Sequence, residues 1–409
     1  MDIVPQTSQS VFKFNPAASK VSEKKRQMFT FQPHMNQIRM PTMAEARASV
    51  QQDLSHEPER QPTYTLDLSK PLNDRNRPFK TPLEEIMRSL PALPPHIKDL
   101  LYPNFEPCEY CPTCRLCDVS KHATVPSPKF LDHKNPHPWD RRIVFVDEPH
   151  KYFIDGSCEE IISATSFISC FFPKFHAEQM ALQVTQGKTF RDTVHRPSHK
   201  YYGCETPEDI MGRWNEWANL GTLLHANIES YFNQEPFEIH PENKLPYAMF
   251  QKLFSDQNWV HWEPFRTEWS VFDPETMVAG QIDFAGMINR EMGHIVLIDW
   301  KRCQSIPNCC FNRFKGLPPT TGYGVCQELE NCKFMKYSLQ LNLYKYIVEK
   351  HYGLYVQKML LIQLHPVLKK KGAAVWKVPN LQHVIEQMMA CRKLVLQEYR
   401  SQKMRQSVQ

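Results

Sequence analysis

Three closely spaced runs, FRTEWSVFD (265–273), VAGQIDFAGMI (278–288) and HIVLIDWKR (294–302), constrain this chain more than anything else in it. Each is rich in β-branched and aromatic residues, and Asp-Pro-Glu and Met-Gly punctuate the gaps as hairpin turns do, so a strand meander is predicted. Ile295, Val296, Leu297 and Ile298 form a near-continuous apolar run, the mark of a strand buried on both faces. Asp299 therefore falls where a core strand reaches the sheet's edge, a costly place for an unpaired carboxylate. Side chains alternate along a strand, which puts Lys301 on the same face as Asp299. With Glu268 and Asp283 on the two preceding strands, the pattern suits metal-dependent phosphodiester cleavage. Two converging carboxylates would hold Mg²⁺ or Mn²⁺ through oxygen, polarising a phosphate oxygen and acidifying a water, while Lys301 orients that water or stabilises developing charge. The plainer alternative is an Asp–Lys surface pair at a strand end.

Flanking helices add to the pattern. NEWANLGTLLHANIESYF (215–232) has helical periodicity and sets His225 and Glu229 four residues apart on one face, close to Gly221. KYSLQLNLYKYIVEKHYG (336–353) reads as an amphipathic helix ending near Gly353, with Gln340 and Tyr344 again four apart. Each pair has a bland alternative, a core histidine for the first and a packing pair for the second.

Taken in order, G-x-x-x-H, E, G-x-x-D, D-x-K and Q-x-x-x-Y resemble the RecB-like branch of the PD-(D/E)XK nucleases, relatives of lambda-exonuclease-like and mitochondrial single-strand exonucleases. The resemblance covers roughly residues 142–400. It implies an α/β restriction-endonuclease-like core, a mixed central β-sheet flanked by helices. It also implies that His225, Asp283 and Asp299 hold the metal, that Lys301 is the catalytic lysine, and that Gln340 and Tyr344 border the active site and meet the DNA backbone. Glu268 and Glu229 follow as less specific acidic positions. Two departures are an Asp-Trp-Lys third motif in place of Glu-x-Lys, and Ile282 where a proline often precedes the strand aspartate. Aspartate also binds hard cations, so both keep the chemistry.

At 409 residues and 41% hydrophobic the chain can bury a large core, and no run approaches the roughly 20 apolar residues of a membrane span. MDIVPQTSQSVFKFNP has no apolar signal region, so an intracellular protein is expected, the nucleus favoured over the cytoplasm by the basic cluster at Lys24–Arg26. More than half of the 33 prolines precede residue 150, and residues 1–95 read as a disordered arm; LEEIMRSL (83–90) and PHIKDLLY (95–102) suggest brief helices. Residues 96–141 read as a cysteine-rich loop and linker, 142–400 as the nuclease domain and 401–409 as a polar tail. Thirteen irregularly spaced cysteines indicate thiols or metal ligands and no disulfide framework. Cys108, Cys111, Cys114 and Cys117 form C-x-x-C-x-x-C-x-x-C, a structural site for Zn²⁺ or, alternatively, an iron–sulfur cluster. Cys309, Cys310, Cys326 and Cys332 are candidates for a second one.

RRIVFVDEPHKYFIDG reads as a hairpin. Ser163 and Thr165, near Lys174, either touch phosphates or cap a helix. Trp214, Trp217, Trp259 and Trp262 either stack bases or fill the core. A formal charge of +5 is compatible with a polyanionic partner. No phosphate-binding G-x-x-x-x-G-K-[ST] occurs, so a helicase or replication or recombination partner would be a separate protein. The expectation is a metal-dependent DNA exonuclease of repair, recombination or replication. A silent nucleic-acid-binding module and an RNA endonuclease are the alternatives.

Overall fold

The strand runs do form a meander. In the computed structural model, which describes residues 82–103, 127–146, 150–256 and 262–407, β4 (Glu263–Asp273), β5 (Val278–Asn289) and β6 (His294–Lys301) pair antiparallel in sequence. Before them come the hairpin β1 (Ile143–Val146) and β2 (Lys151–Ile154) and the two-residue β3 (Ile162–Ser163). After them come β7 (Tyr355–Gln363) and β8 (Ala374–Lys377). The resulting sheet has six strands in the order β3-β5-β6-β7-β8, with β4 also alongside β5. It is mixed: β3 runs parallel to β5 and β7 parallel to β6, whereas β8 is antiparallel to β7.

Helices flank it in chain order: α1 (Leu83–Ser89), α2 (Pro95–Leu101), α3 (Phe130–Lys134), α4 (Ala164–Ser169), α5 (Ala177–Gln186), α6 (Lys188–Thr193), α7 (Pro207–Asn233), α8 (Lys244–Phe254), α9 (Lys333–His351) and α10 (Gln382–Ser407). Helix α7 starts at a capping box, Thr206 and Asp209 bonding each other's backbone N–H groups, with Pro207 at the first helical position. Helix α9 is the crossover that lets β6 and β7 run parallel.

The two faces of the sheet bury different helices. Leu224, Ile228 and Phe232 of α7 and Phe250 of α8 pack on Phe284, Val296, Ile298 and Trp300. Leu339, Leu343 and Ile347 of α9 and Ile385 and Met389 of α10 pack with Ile282, Ala285, Ile295 and Leu297. Ile295–Leu297–Asp299–Lys301 thus face α9, and Val296–Ile298–Trp300 face α7, which is why the run has no polar alternation.

Packed structure crosses three of the expected domain boundaries. Residues 1–81 and the Cys108–Cys117 motif lie outside the described residues, but α1 and α2 pack Leu83, Ile97 and Leu101 into the main core. The expected end of the arm at 95 therefore falls inside packed structure, because three apolar anchors suffice where α10 supplies the partner surface. Residues 129–141 are no linker either: Leu131, Asn135 and His137 are buried against α7 and β4. At the other end α10 runs through the expected tail to Ser407. Buried Arg392 of α10 ties these parts together, donating to the carbonyls of Leu101, Glu160 and Thr276. Among the described residues, no helix is long and apolar enough to cross a membrane.

Candidate metal and catalytic site

The site forms where the ladder between β5 and β6 stops. Pairing ends at Phe284 and Ile298, and beyond it β6 continues alone against β7 while β5 approaches β3. Asp283 fills the opening: its Oδ2 accepts the backbone N–H of Trp300 at 2.9 Å. A peptide group that would otherwise lose its partner is satisfied by a carboxylate held at the fork.

His225 reaches the same point from α7. Its Nε2 lies 2.8 Å from the Trp300 carbonyl oxygen, which can only accept, so Nε2 carries a proton. The other nitrogen, Nδ1, then faces Asp283 Oδ2 at 3.4 Å and Glu268 Oε1 at 3.7 Å. One donor atom each from His225, Glu268 and Asp283 lie within 4.8 Å of one another, and no other group of three such ligands exists among the described residues. Cis ligands of an octahedral Mg²⁺ or Mn²⁺ at about 2.1 Å are about 3 Å apart, so a small contraction accommodates the ion. A histidine anchored through its second nitrogen to a carbonyl is the usual orientation device of a metal ligand. The donor set fits a hard divalent cation with one nitrogen ligand.

Across the fork, Lys301 Nζ sits 2.8 Å from Oδ1 and 2.6 Å from Oδ2 of Asp299, and 4.7 Å over the ring of Tyr337 on α9. Burial pushes the Asp299 carboxyl up to about 6, against the pull of Lys301. The Asp283 carboxyl is also raised by burial, with His225 and Lys301 opposing. Burial works against charge on His225, yet Asp283 and Glu268 outweigh it and raise the imidazole to about 9. Lys301 is raised in the same way by Asp299 and then Asp283. The cluster sets three carboxylates, Glu268, Asp283 and Asp299, against two basic groups, His225 and Lys301.

Other residues separate into those the fold brings here and those it does not. Gln340 Nε2 donates to the Tyr344 hydroxyl at 3.1 Å on α9. Tyr344 lies over Gly280 of β5, where a Cβ would come within 2.7 Å of its ring. The glycine three before Asp283 thus makes room for the tyrosine. Glu229 is not in the cluster: it pairs with Lys129 at 2.9 Å. Ser163 caps α4, its Oγ accepting from Ser166 N at 3.2 Å and lying 3.3 Å from Thr165 Oγ1, so capping is the role the geometry records. Trp214 and Trp217 pack in a small core, Trp214 donating to Tyr201 and Trp217 stacking on it. Trp262 is half-buried beside α7 and α8, with Lys358 over its ring, while Trp259 lies outside the described residues. Cys309, Cys310, Cys326 and Cys332 do not converge as a metal site.

Sequence reasoning missed two neighbours. Tyr337 lies three residues before Gln340 and seven before Tyr344, so helical spacing alone could have placed it on their face. Tyr152, on β2, has its hydroxyl pushed up by burial and by the nearby charges of Glu268 and Asp283, and no local pattern marks it. Compared with protein-family models the chain matches none, and no curated protein matches it in sequence.

Proposed function

We propose that this chain is a metal-dependent nuclease with a restriction-endonuclease-like core, hydrolysing DNA phosphodiesters and working exonucleolytically in repair, recombination or replication. The observation that carries the reading is the meeting of His225, Glu268 and Asp283 with the Asp299–Lys301 pair at the fork between β5 and β6. In this assignment His225, Glu268 and Asp283 hold Mg²⁺ or Mn²⁺, with Asp299 close enough to complete the acidic wall. The bound ion supplies Lewis acidity toward a phosphate oxygen and a more acidic water. Lys301, kept cationic by Asp299 and steered by the Tyr337 ring, neutralises charge that develops on the phosphate. Gln340, with amide hydrogen-bonding capacity beyond its one bond to Tyr344, meets the backbone beside it.

A polyanion partner has support away from the fork. Residues 174–204 contain Lys174, Lys188, Arg191, Arg196 and Lys200 against Glu178 and Asp192, five minus two, or +3 of the chain's formal +5. All five cations are exposed, and none makes an ion pair among the described residues. Phe175 and Tyr202, 55% and 48% exposed, interleave with them as stacking surfaces.

The test is incubation of purified protein with end-labelled single- and double-stranded DNA and RNA, in Mg²⁺, Mn²⁺ or EDTA, beside Asp299→Ala and Lys301→Ala. DNA cleavage that needs the metal and falls on the order of 10²-fold or more in both variants is expected. Binding with no cleavage under any metal would leave a silent module, and cleavage confined to RNA would move the substrate.

A further inference from the structure

Strand β4 breaks its own pleat at Glu268. Regular alternation sends consecutive side chains to opposite faces and residues three apart to opposite faces as well. Here Thr267 and Glu268, consecutive, both meet α7: Asn233 Nδ2 donates to Thr267 Oγ1 at 2.8 Å, and Glu268 faces His225. Arg266 and Trp269, three apart, both meet Asp140: Arg266 donates to Oδ2 at 2.8 Å and Trp269 Nε1 to Oδ1 at 3.1 Å. The guanidinium also lies 5.1 Å over the Trp269 ring. Glu268 itself has a φ of 41°, left-handed territory that costs a non-glycine residue of this kind. Its cross-strand neighbour reverses with it: Ile282 packs under α9 and Phe284 under α7, and the β4–β5 ladder pairs Thr267 with Phe284 and Trp269 with Ile282 around the unpaired Glu268 and Asp283.

We infer that Asp140, with Arg266, Thr267 and Trp269, forms a two-sided clamp that holds Glu268 in its strained conformation so that its carboxylate completes the metal site. Without the clamp a relaxed β4 would restore the alternation and turn Glu268 away from α7, since Thr267 already occupies that face. Arg266 is 5% exposed and is gripped further by Asp132 at 3.0 Å and by the Asn135 carbonyl at 3.0 Å, so the clamp is anchored in the segment between the cysteine motif and β1. These are positioning residues: none is among the three ligands. The inference rests on the metal-site reading of His225, Glu268 and Asp283, and strain stored at such a place is what a functional conformation tolerates.

The experiment measures Mn²⁺ binding to the full chain by paramagnetic resonance of the free ion, alongside thermal melting without metal. Glu268→Gly should melt a few degrees above Glu268→Ala, because both lose the carboxylate and only glycine relieves the left-handed backbone, while Mn²⁺ affinity falls at least tenfold in both. A glycine variant that melts no higher than the alanine variant would show that the conformation is unstrained and overturn the inference. Asp140→Ala should weaken Mn²⁺ binding about tenfold, and Asp140→Asn, which keeps an acceptor for Trp269, should recover most of it. If Asp140→Ala melts early but binds Mn²⁺ like the wild type, the clamp is only structural. Should Asp140→Ala fail to fold, Thr267→Val, which deletes one hydrogen bond from the opposite side, should weaken Mn²⁺ binding in its place, and unaltered binding there overturns the clamp. Wild-type protein that does not bind Mn²⁺ would remove the metal site and the clamp together, an outcome distinct from failure of the clamp alone.

Discussion

Asp283 closes, with its side chain, the ladder that β5 and β6 leave open: its carboxylate takes the Trp300 N–H at 2.9 Å, and the Trp300 carbonyl in turn takes His225. One residue thus serves the sheet and the site, and substitutions can separate the two duties. Asp283→Asn keeps an acceptor for Trp300 but loses the charge. Burial opposes the charge on this carboxyl while His225 and Lys301 favour it, so Asp283→Asn should change stability little while metal-dependent cleavage drops on the order of 10²-fold. Asp283→Ala should lose activity and also about 1–3 kcal/mol through the unsatisfied peptide N–H. Urea melts beside cleavage assays check both, and an Asn variant that cuts normally would remove Asp283 from the ligand set.

In the proposed site a metal would compete with a proton for His225. Its folded-state value of about 9 lies above the ordinary imidazole, so the metal-free protein carries the proton at neutral pH. The protonated histidine's stabilisation is complete below roughly pH 6.5 and is lost as pH rises through about 9. An ion taking Nδ1 must displace that proton, so Mn²⁺ binding near pH 7.5 should release about one proton and tighten with pH up to about 9. Calorimetry in two buffers of different ionisation enthalpy measures the release. His225→Ala should abolish it; unchanged release would place the proton elsewhere.

Much of this was legible locally. Residues 265–273, 278–288 and 294–302 were marked by β-branched and aromatic composition and by turn chemistry, which depend only on neighbours, and the strands span 263–273, 278–289 and 294–301. The same holds for Asp299 beside Lys301, two residues apart. Glu229 was misleading for the converse reason: it shares a helical face with His225, but Lys129, a hundred residues earlier, claims it. Likewise Arg392 joins carbonyls at 101, 160 and 276, and no window of sequence contains that relation. The left-handed Glu268 was hidden because a strand-like composition gives no sign of a reversal imposed by Asp140 and Asn233 from outside the strand.

The basic surface of residues 174–204 makes its own prediction. Lys188 and Arg191 lie three apart on α6, exposed and without ion pairs among the described residues, so Lys188→Glu with Arg191→Glu should leave folding intact. Binding of labelled single-stranded DNA in EDTA should weaken, and the slope of log affinity against log salt should flatten by about 0.7 for each phosphate no longer neutralised. Fluorescence anisotropy across salt concentrations measures it. An unchanged slope would place the polyanion path on another face.

Acid should unfold the protein through Asp273, at the end of β4. This carboxylate is fully buried and accepts from Thr276 Oγ1 at 2.9 Å and the backbone N–H groups of Glu275 and Thr276 at 2.9 and 2.8 Å, with His351 Nε2 at 2.7 Å and Lys350 Nζ at 3.4 Å. Burial alone would raise it, but His351, Lys350 and Thr276 together hold it well below the ordinary carboxylate range. A value depressed in the folded state means that its stabilisation is fully present above the unfolded value of about 3.9 and is lost as pH falls through the folded one. Asp273→Asn should therefore cost about 1–3 kcal/mol at pH 7, since an amide cannot accept from Thr276 Oγ1, the two backbone N–H groups, His351 and Lys350 as the carboxylate does, and should abolish this group's share of the acid transition. Denaturant melts from pH 7 down to pH 2 follow both. Wild-type and variant curves that stay parallel over that range would mean that Asp273 merely shapes the turn.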